Sequence, residues 1–394
     1  MRFILFILLF TLFFGCGHQP SPSLETSVPA IENPLTLDLS FGDDESKLPS
    51  DYLLARPEDI AVDDNNNIFI NDETKIKVYS FQGEPKAIIG RKGQGPGEFE
   101  WINGISVGPS QLIMVLDMYV VSLFSPEYKF ISKNRISLPK TQMKGDSWYL
   151  ADAVYLTENE RLLYIEIEKN NYSPDYQENQ MILNEKNGQI DTLINYPVKH
   201  IYIAGGSGWQ MTFDMPFLST FVWALASDNR IVYVETDKDV IKDEKNAFYD
   251  INIFSIETKA VKKLTRQYIR TPIDSKHAEN WDEDVRRNSK IYQPVIKATV
   301  DKMKDVVAKE KYNHSLKRIK TDGNYVFAFL YLTNDKKEIY TDVFDIDKGQ
   351  YISSLFFPKI PDVIKNGYAY YLISENKEYP RVEKYRINPK VYGR

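Results

Sequence analysis

Hydrolytic and metal-assisted sites draw on few residue types, and this sequence is sparing with several of them. It has one cysteine, Cys16, and four histidines, His18, His200, His277 and His314. No pair of these histidines has the HxH or HxxxH spacing that brings two imidazoles to one metal, and there is no GxSxG turn to expose a serine nucleophile. A lone cysteine allows neither an intramolecular disulfide nor a thiolate zinc site. Gly90, Gly93, Gly95 and Gly97 lie beside Arg91 and Lys92, a composition suited to phosphate. A phosphate loop must open a helix, whose first amides hold the anion. Here Pro96 interrupts the loop and a strand-like segment follows Phe99, so a connector is expected. The carboxylates are too many and too dispersed to select a catalytic pair. No catalytic residue, metal ligand or cofactor is assigned.

Cys16 has a different use. Arg2 is followed by an apolar run from Phe3 to Phe14, then Gly15 and Cys16. A run this short is a signal-peptide core rather than a bilayer span, which needs about 20 apolar residues. A small residue before the cysteine and a polar stretch after it resemble the lipobox of bacterial lipoproteins, although Phe13 and Phe14 stand where Leu and Ala or Ser are usual. The resemblance implies lipidation at Cys16, removal of residues 1–15, and a membrane held through lipid at the cell envelope. Residues 16–33 contain GHQPSPSLETSVPAIEN, too poor in large apolar groups to fold, and read as a tether.

The net charge of −6 and the scatter of basic residues among acidic ones exclude a phosphate-tracking stripe, so nucleic acid is not an expected partner. High tyrosine and phenylalanine content with β-branched alternation favours an all-β body over residues 34–394. A repeat gives that body its plan. Ile60, Val62, Ile68, Ile70, Asp72, Ile76, Val78 and Tyr79 recur 45 positions later as Ile105, Val107, Ile113, Val115, Asp117, Val121, Leu123 and Phe124. This is the period of a four-stranded propeller blade. The first copy reads as strands Asp59–Val62, Ile68–Asp72, Lys75–Ser80 and Lys86–Ile89. Asp72 and Asp117, at matching strand ends, are expected to accept backbone amides rather than to hold a metal.

Six hairpins of the same character follow one another. Their second halves lie at Val78–Gly83, Leu123–Tyr128, Met181–Gly188, Ile251–Thr258, Val343–Gly349 and Val382–Asn388. Their first halves, read as inner strands, lie near Ile68, Ile113, Leu162, Ile231, Val326 and Tyr368. The last copy has three strands, and Leu35–Phe41 is an unassigned strand at the other end. Adding it to the last blade would close the ring and hide two open edges. The stretch PEDIAVDDNNNIFINDETKIKVYSFQGE with the following GRKGQGPGEF resembles an NHL-type repeat, and the plan resembles the six-bladed propeller lipoproteins of Bacteroidota. One region departs from it. Within 278–312, Ile296, Val300, Met303 and Val307 form a helical stripe, so a short helical insertion is expected there.

Binding candidates are the aromatics between blades: Trp101, and Trp209, Phe213 and Phe217 in the glycine-rich stretch GGSGWQMTFDMPF. They serve as recognition anchors or as caps on blade seams. The expected function is a recognition or scaffolding module with an unknown protein or glycan partner at the cell envelope. The alternative is a metal-dependent hydrolase or lyase with its site in the central channel.

Overall fold

The computed structural model describes residues 30–394 except 139–146, 169–177, 199–200, 207–208, 215–219, 375–378 and, apart from Asp305 and Lys309, 274–310. Of 201–214 it describes the backbone only. The chain is an all-β six-bladed propeller. Blade 1 is built from Pro57–Val62, Ile68–Asp72, Lys75–Tyr79 and Pro85–Ile89, and blade 2 from Gly104–Val107, Ile113–Asp117, Val120–Phe124 and Phe130–Arg135. Blade 3 spans Ser147–Val198, blade 4 Phe221–Ile269 and blade 5 Leu316–Phe357. Blade 6 takes Val363–Lys365, Tyr368–Ile373 and Arg381–Ile387 from the end of the chain. Its outermost strand is Leu35–Phe41, antiparallel to Arg381–Ile387 with Leu35 opposite Ile387 and Phe41 opposite Val382.

The six hairpins read from the sequence are the second and third strands of the six blades. The strands near Ile68, Ile113, Leu162, Ile231, Val326 and Tyr368 are not the innermost ones. In each sheet one strand precedes them and lines the channel. Period-two alternation is shared by every strand of a blade, so it could not distinguish the two.

Tight turns join first to second and third to fourth strands. Asn187–Gly188 and Asn366–Gly367 each place two successive residues at positive φ, as does Asp228–Asn229. These are the left-handed pairs that match the twist of a two-residue hairpin, which is why Asn, Asp and Gly occupy them. Each seam between neighbouring blades holds its own buried apolar cluster. The sixth joins Phe41, Tyr370 and Val382 of blade 6 to Ile60 and Ile68 of blade 1. Lys384 is buried there. Its ammonium pairs with Asp38 at 3.0 Å, donates to the carbonyl of Phe81 at 2.7 Å and lies 3.3 Å from the centre of the Phe81 ring.

Two expectations meet the structure differently. Ile31, assigned to the tether, already touches the body, donating its amide to the Ser354 carbonyl at 2.7 Å. The helical insertion at 278–312 lies almost wholly outside the described residues. Among the described residues, apart from Asp305 and Lys309, helix is limited to 3-10 turns at Ser50–Tyr52, Thr236–Lys238 and Pro389–Tyr392.

Candidate functional site

The innermost strands bring charged residues of four blades into the channel. Asp59 lies on the first strand of blade 1, Asp152 on that of blade 3 and Lys320 on that of blade 5, with Asp362 just ahead of that of blade 6. The Asp59 carboxylate accepts from its neighbour Ile60 and, across the seam, from Ile105, both at 2.8 Å. Asp152 accepts the Ala153 amide at 2.7 Å. Lys320 donates to the Asp362 carbonyl at 2.6 Å rather than to a carboxylate. Protein surrounds these groups, yet Asp152 and Asp362 retain solvent-exposed surface, as residues lining a water-accessible channel do.

Enclosure shifts their protonation. Loss of hydration, with a further push from the Asp59 charge, raises the Asp152 carboxyl to about 7. Burial also raises Asp59, and it lowers Lys320. The lysine feels all three aspartates without forming a close ion pair with any. Sequence reasoning missed this group. The residues are separated by scores of positions and share no motif, and the only signal was a charged residue inside segments such as WYLADAVYL. Among the described residues no three His, Cys, Asp or Glu side chains stand close enough to hold a metal ion.

Asp72 and Asp117 do what their repeated position implies. The Asp72 carboxylate accepts the amides of Ala55 (3.1 Å) and Arg56 (2.6 Å) and pairs with Lys77 at 2.6 Å. Asp117 accepts the amide of Glu100 at 2.9 Å. Ala55 and Glu100 are themselves 45 positions apart, so the same side chain pins the incoming connection of both blades. The glycine loop is a connector. Phe99 donates to Arg91, Gly93 donates to Phe99, Glu98 pairs with Arg91 at 2.7 Å, and the chain runs into the strand Gly104–Val107. Gly90, at φ +76°, has the Phe99 ring against it with no room for a Cβ.

Of the aromatic candidates, Trp101 is 69% exposed beside the first strand of blade 2. The glycine-rich stretch around Trp209 and Phe213 is a two-stranded hairpin. Ile201–Gly206 pairs with Trp209–Asp214, and Gly205 and Gly206 are strand residues. The side chains of Trp209 and Phe213, and Phe217 altogether, lie outside the described residues, as does Cys16. The hairpin belongs to the connection between blades 3 and 4 and Trp101 to that between blades 1 and 2, so both sit on one face of the ring. On the opposite face a cavity of about 630 Å³ lies between the turns of blades 5 and 6, walled by Asn324, Tyr325, Asp347, Tyr392 and Arg394. Its carboxylates are engaged internally: Asp347 pairs with Arg230 at 2.7 Å, and Asp322 accepts Asn366, Gly367 and Tyr392.

Residues 49–213 match a family model described as DUF5128, a six-bladed beta-propeller. The chain is similar to a protein described as exported from Bacteroides fragilis NCTC 9343. That pair is 14% identical, the alignment covers 92% of this chain and 98% of that one, and the TM-score is 0.44. It is also similar to a protein of unknown function from Bacteroides caccae, 8% identical over 76% of this chain and 81% of that one, with a TM-score of 0.33. No curated protein matches the sequence.

Proposed function

We propose that the protein is an exported propeller, anchored at the bacterial cell envelope through lipid on Cys16, and that it works as a binding or scaffolding module. The observation behind this reading is the unequal treatment of the two faces. Every connection on one face is a turn of five residues or fewer, whereas the other carries the stretches 42–56, 90–103, 136–146, 199–220 and 270–315. Long connections on a rigid scaffold are where recognition residues accumulate. Topology adds an orientation. Leu35 pairs with Ile387, at the turn end of blade 6, so the tether joins the body on the turn face and the long-connection face turns away from the anchor.

A second reading, chemistry in the channel, rests on the grouping of Asp59, Asp152 and Lys320, because shifted titratable groups in a cleft mark functional sites.

The anchored-module reading is tested with Cys16→Ser. Wild type is expected to incorporate labelled fatty acid, to partition with membranes and, after gentle solubilisation, to run in an assembly heavier than one copy of its processed chain. The variant is expected in the soluble fraction. An unlabelled, soluble wild type overturns the anchor, and a lone monomer under every solubilisation condition overturns the binding role.

A further inference from the structure

An asparagine followed by glycine can modify itself without an enzyme. The glycine backbone nitrogen attacks the asparagine Cγ, the bond from Cγ to the side-chain nitrogen breaks, and that nitrogen leaves as ammonia with the glycine amide proton. The succinimide left behind takes up one water and opens to an aspartyl or an isoaspartyl residue. Glycine favours the attack because no Cβ shields its nitrogen. The side chain and the amide must also be free to meet. The sequence has three such pairs, Asn103–Gly104, Asn187–Gly188 and Asn366–Gly367, and they differ in what holds them.

Two of the pairs share one backbone conformation. Asn187 and Gly188 lie at φ +52° and +78°, Asn366 and Gly367 at +51° and +81°, so turn geometry does not separate them. Hydrogen bonding does. The Asn366 side-chain nitrogen donates to Asn66 Oδ1 at 2.9 Å, and the Gly367 amide donates to Oδ2 of the buried Asp322 at 2.8 Å. Asp322 also accepts the Asn366 amide, at 2.6 Å. In the third pair the Asn103 side-chain oxygen accepts the Met118 amide at 2.7 Å, and Gly104 is a strand residue paired with Leu116.

Asn187–Gly188 has no such locks. It is the tip of the outer hairpin of blade 3, between the paired residues Lys186 and Gln189. Both residues are exposed, and a Cβ built at Gly188 would meet nothing within 4 Å. The Asn187 backbone amide donates to the Asn159 carbonyl at 2.9 Å; among the described residues neither the Asn187 side chain nor the Gly188 amide has a hydrogen bond.

We propose that Asn187 is a site of self-modification, deamidating through Gly188 while the other two pairs persist. The two products act differently on the turn. An aspartyl residue suits a left-handed turn position as asparagine does, and adds one negative charge beside Lys186. An isoaspartyl residue carries the main chain through Cβ, which lengthens the two-residue turn by one carbon and strains the pairing of Lys186 with Gln189.

Peptide mapping of the full-length folded protein during storage in mildly alkaline buffer tests this. Digestion at acidic pH adds no deamidation, electron-based fragmentation separates isoaspartyl from aspartyl, and the same protein held in guanidinium is the control. In the folded protein Asn187 is expected to convert at least about tenfold faster than Asn366 and Asn103, each of which must first break a hydrogen bond. In guanidinium the three are expected to convert at similar rates. Equal rates in the folded protein, or the same ordering and spread in guanidinium, overturn the proposal. So does a purely aspartyl product, because opening of the succinimide gives both forms.

Discussion

The two faces of the ring are made from the same strands and solve different problems. On the turn face the chain reverses within five residues at every blade, and the reversals use Asn, Asp and Gly at positive φ with side-chain oxygens on nearby amides, as Asp63 does with Asn67. On the other face the same strand ends are joined by anything from the two residues Glu73 and Thr74 to the 270–315 stretch. The turn face is determined by strand pairing. The long face is free to vary because the seams, not the connections, hold the blades together, and an exposed Trp101 is tolerated there.

The largest effect is expected where the turn face receives the start of the body. A chain beginning at residue 30 should melt with the full-length protein. A chain beginning at residue 43 loses Phe41 from the sixth seam and leaves Lys384 buried without Asp38. The cost should exceed the roughly 3–5 kcal/mol of one buried Phe→Ala change, because an unpaired buried charge is added to it. Equal urea midpoints for the two truncations would show that Leu35–Phe41 plays no part in closing the ring.

On the long face the two equivalent aspartates should differ. Asp72 holds two amides and a buried lysine, so Asp72→Ala should cost roughly 3–5 kcal/mol by stranding Lys77. Asp117 holds one amide and no ion pair among the described residues, so Asp117→Ala should cost about 1–2 kcal/mol. Urea unfolding measures both. Similar losses would mean that the Lys77 pair contributes nothing beyond the shared amide cap.

How legible each face was in the sequence follows from the same physics. The turn face announces itself, because a reversal in two to five residues restricts which residues can serve, and the strand limits read for blade 1 fall within two residues of those observed. Asp72 and Asp117 were legible through their repetition. The channel group was not. Asp59 has Gly104 at its repeat-equivalent position, and Asp152 and Lys320 lie in blades whose repeats have diverged, so only ring closure brings them together. Trp101 stood out as an aromatic residue between blades, whereas the exposed Met118 looked like an ordinary turn residue.

The channel joins the two faces, and its smallest expected effect separates two accounts of it. With the Asp152 carboxyl at about 7 against an ordinary 3.8, the folded state holds its proton more tightly than the unfolded chain between those values. Stability from this group therefore falls as pH rises from about 4 to about 7, then levels off. Asparagine has no such proton to lose. Asp152→Asn should match wild type near pH 4 and melt about 1–2 °C higher at pH 8, a small gain because the channel admits water and screens the charge. Lys320 supplies the contrary case. If its ammonium compensates Asp152 as a structural pair, removing the carboxylate strands a lysine whose protonated form is already disfavoured by burial, and the variant melts lower at pH 8. The higher melting point is expected, because Lys320 spends its hydrogen bond on the Asp362 carbonyl and offsets the Asp152 charge only from a distance.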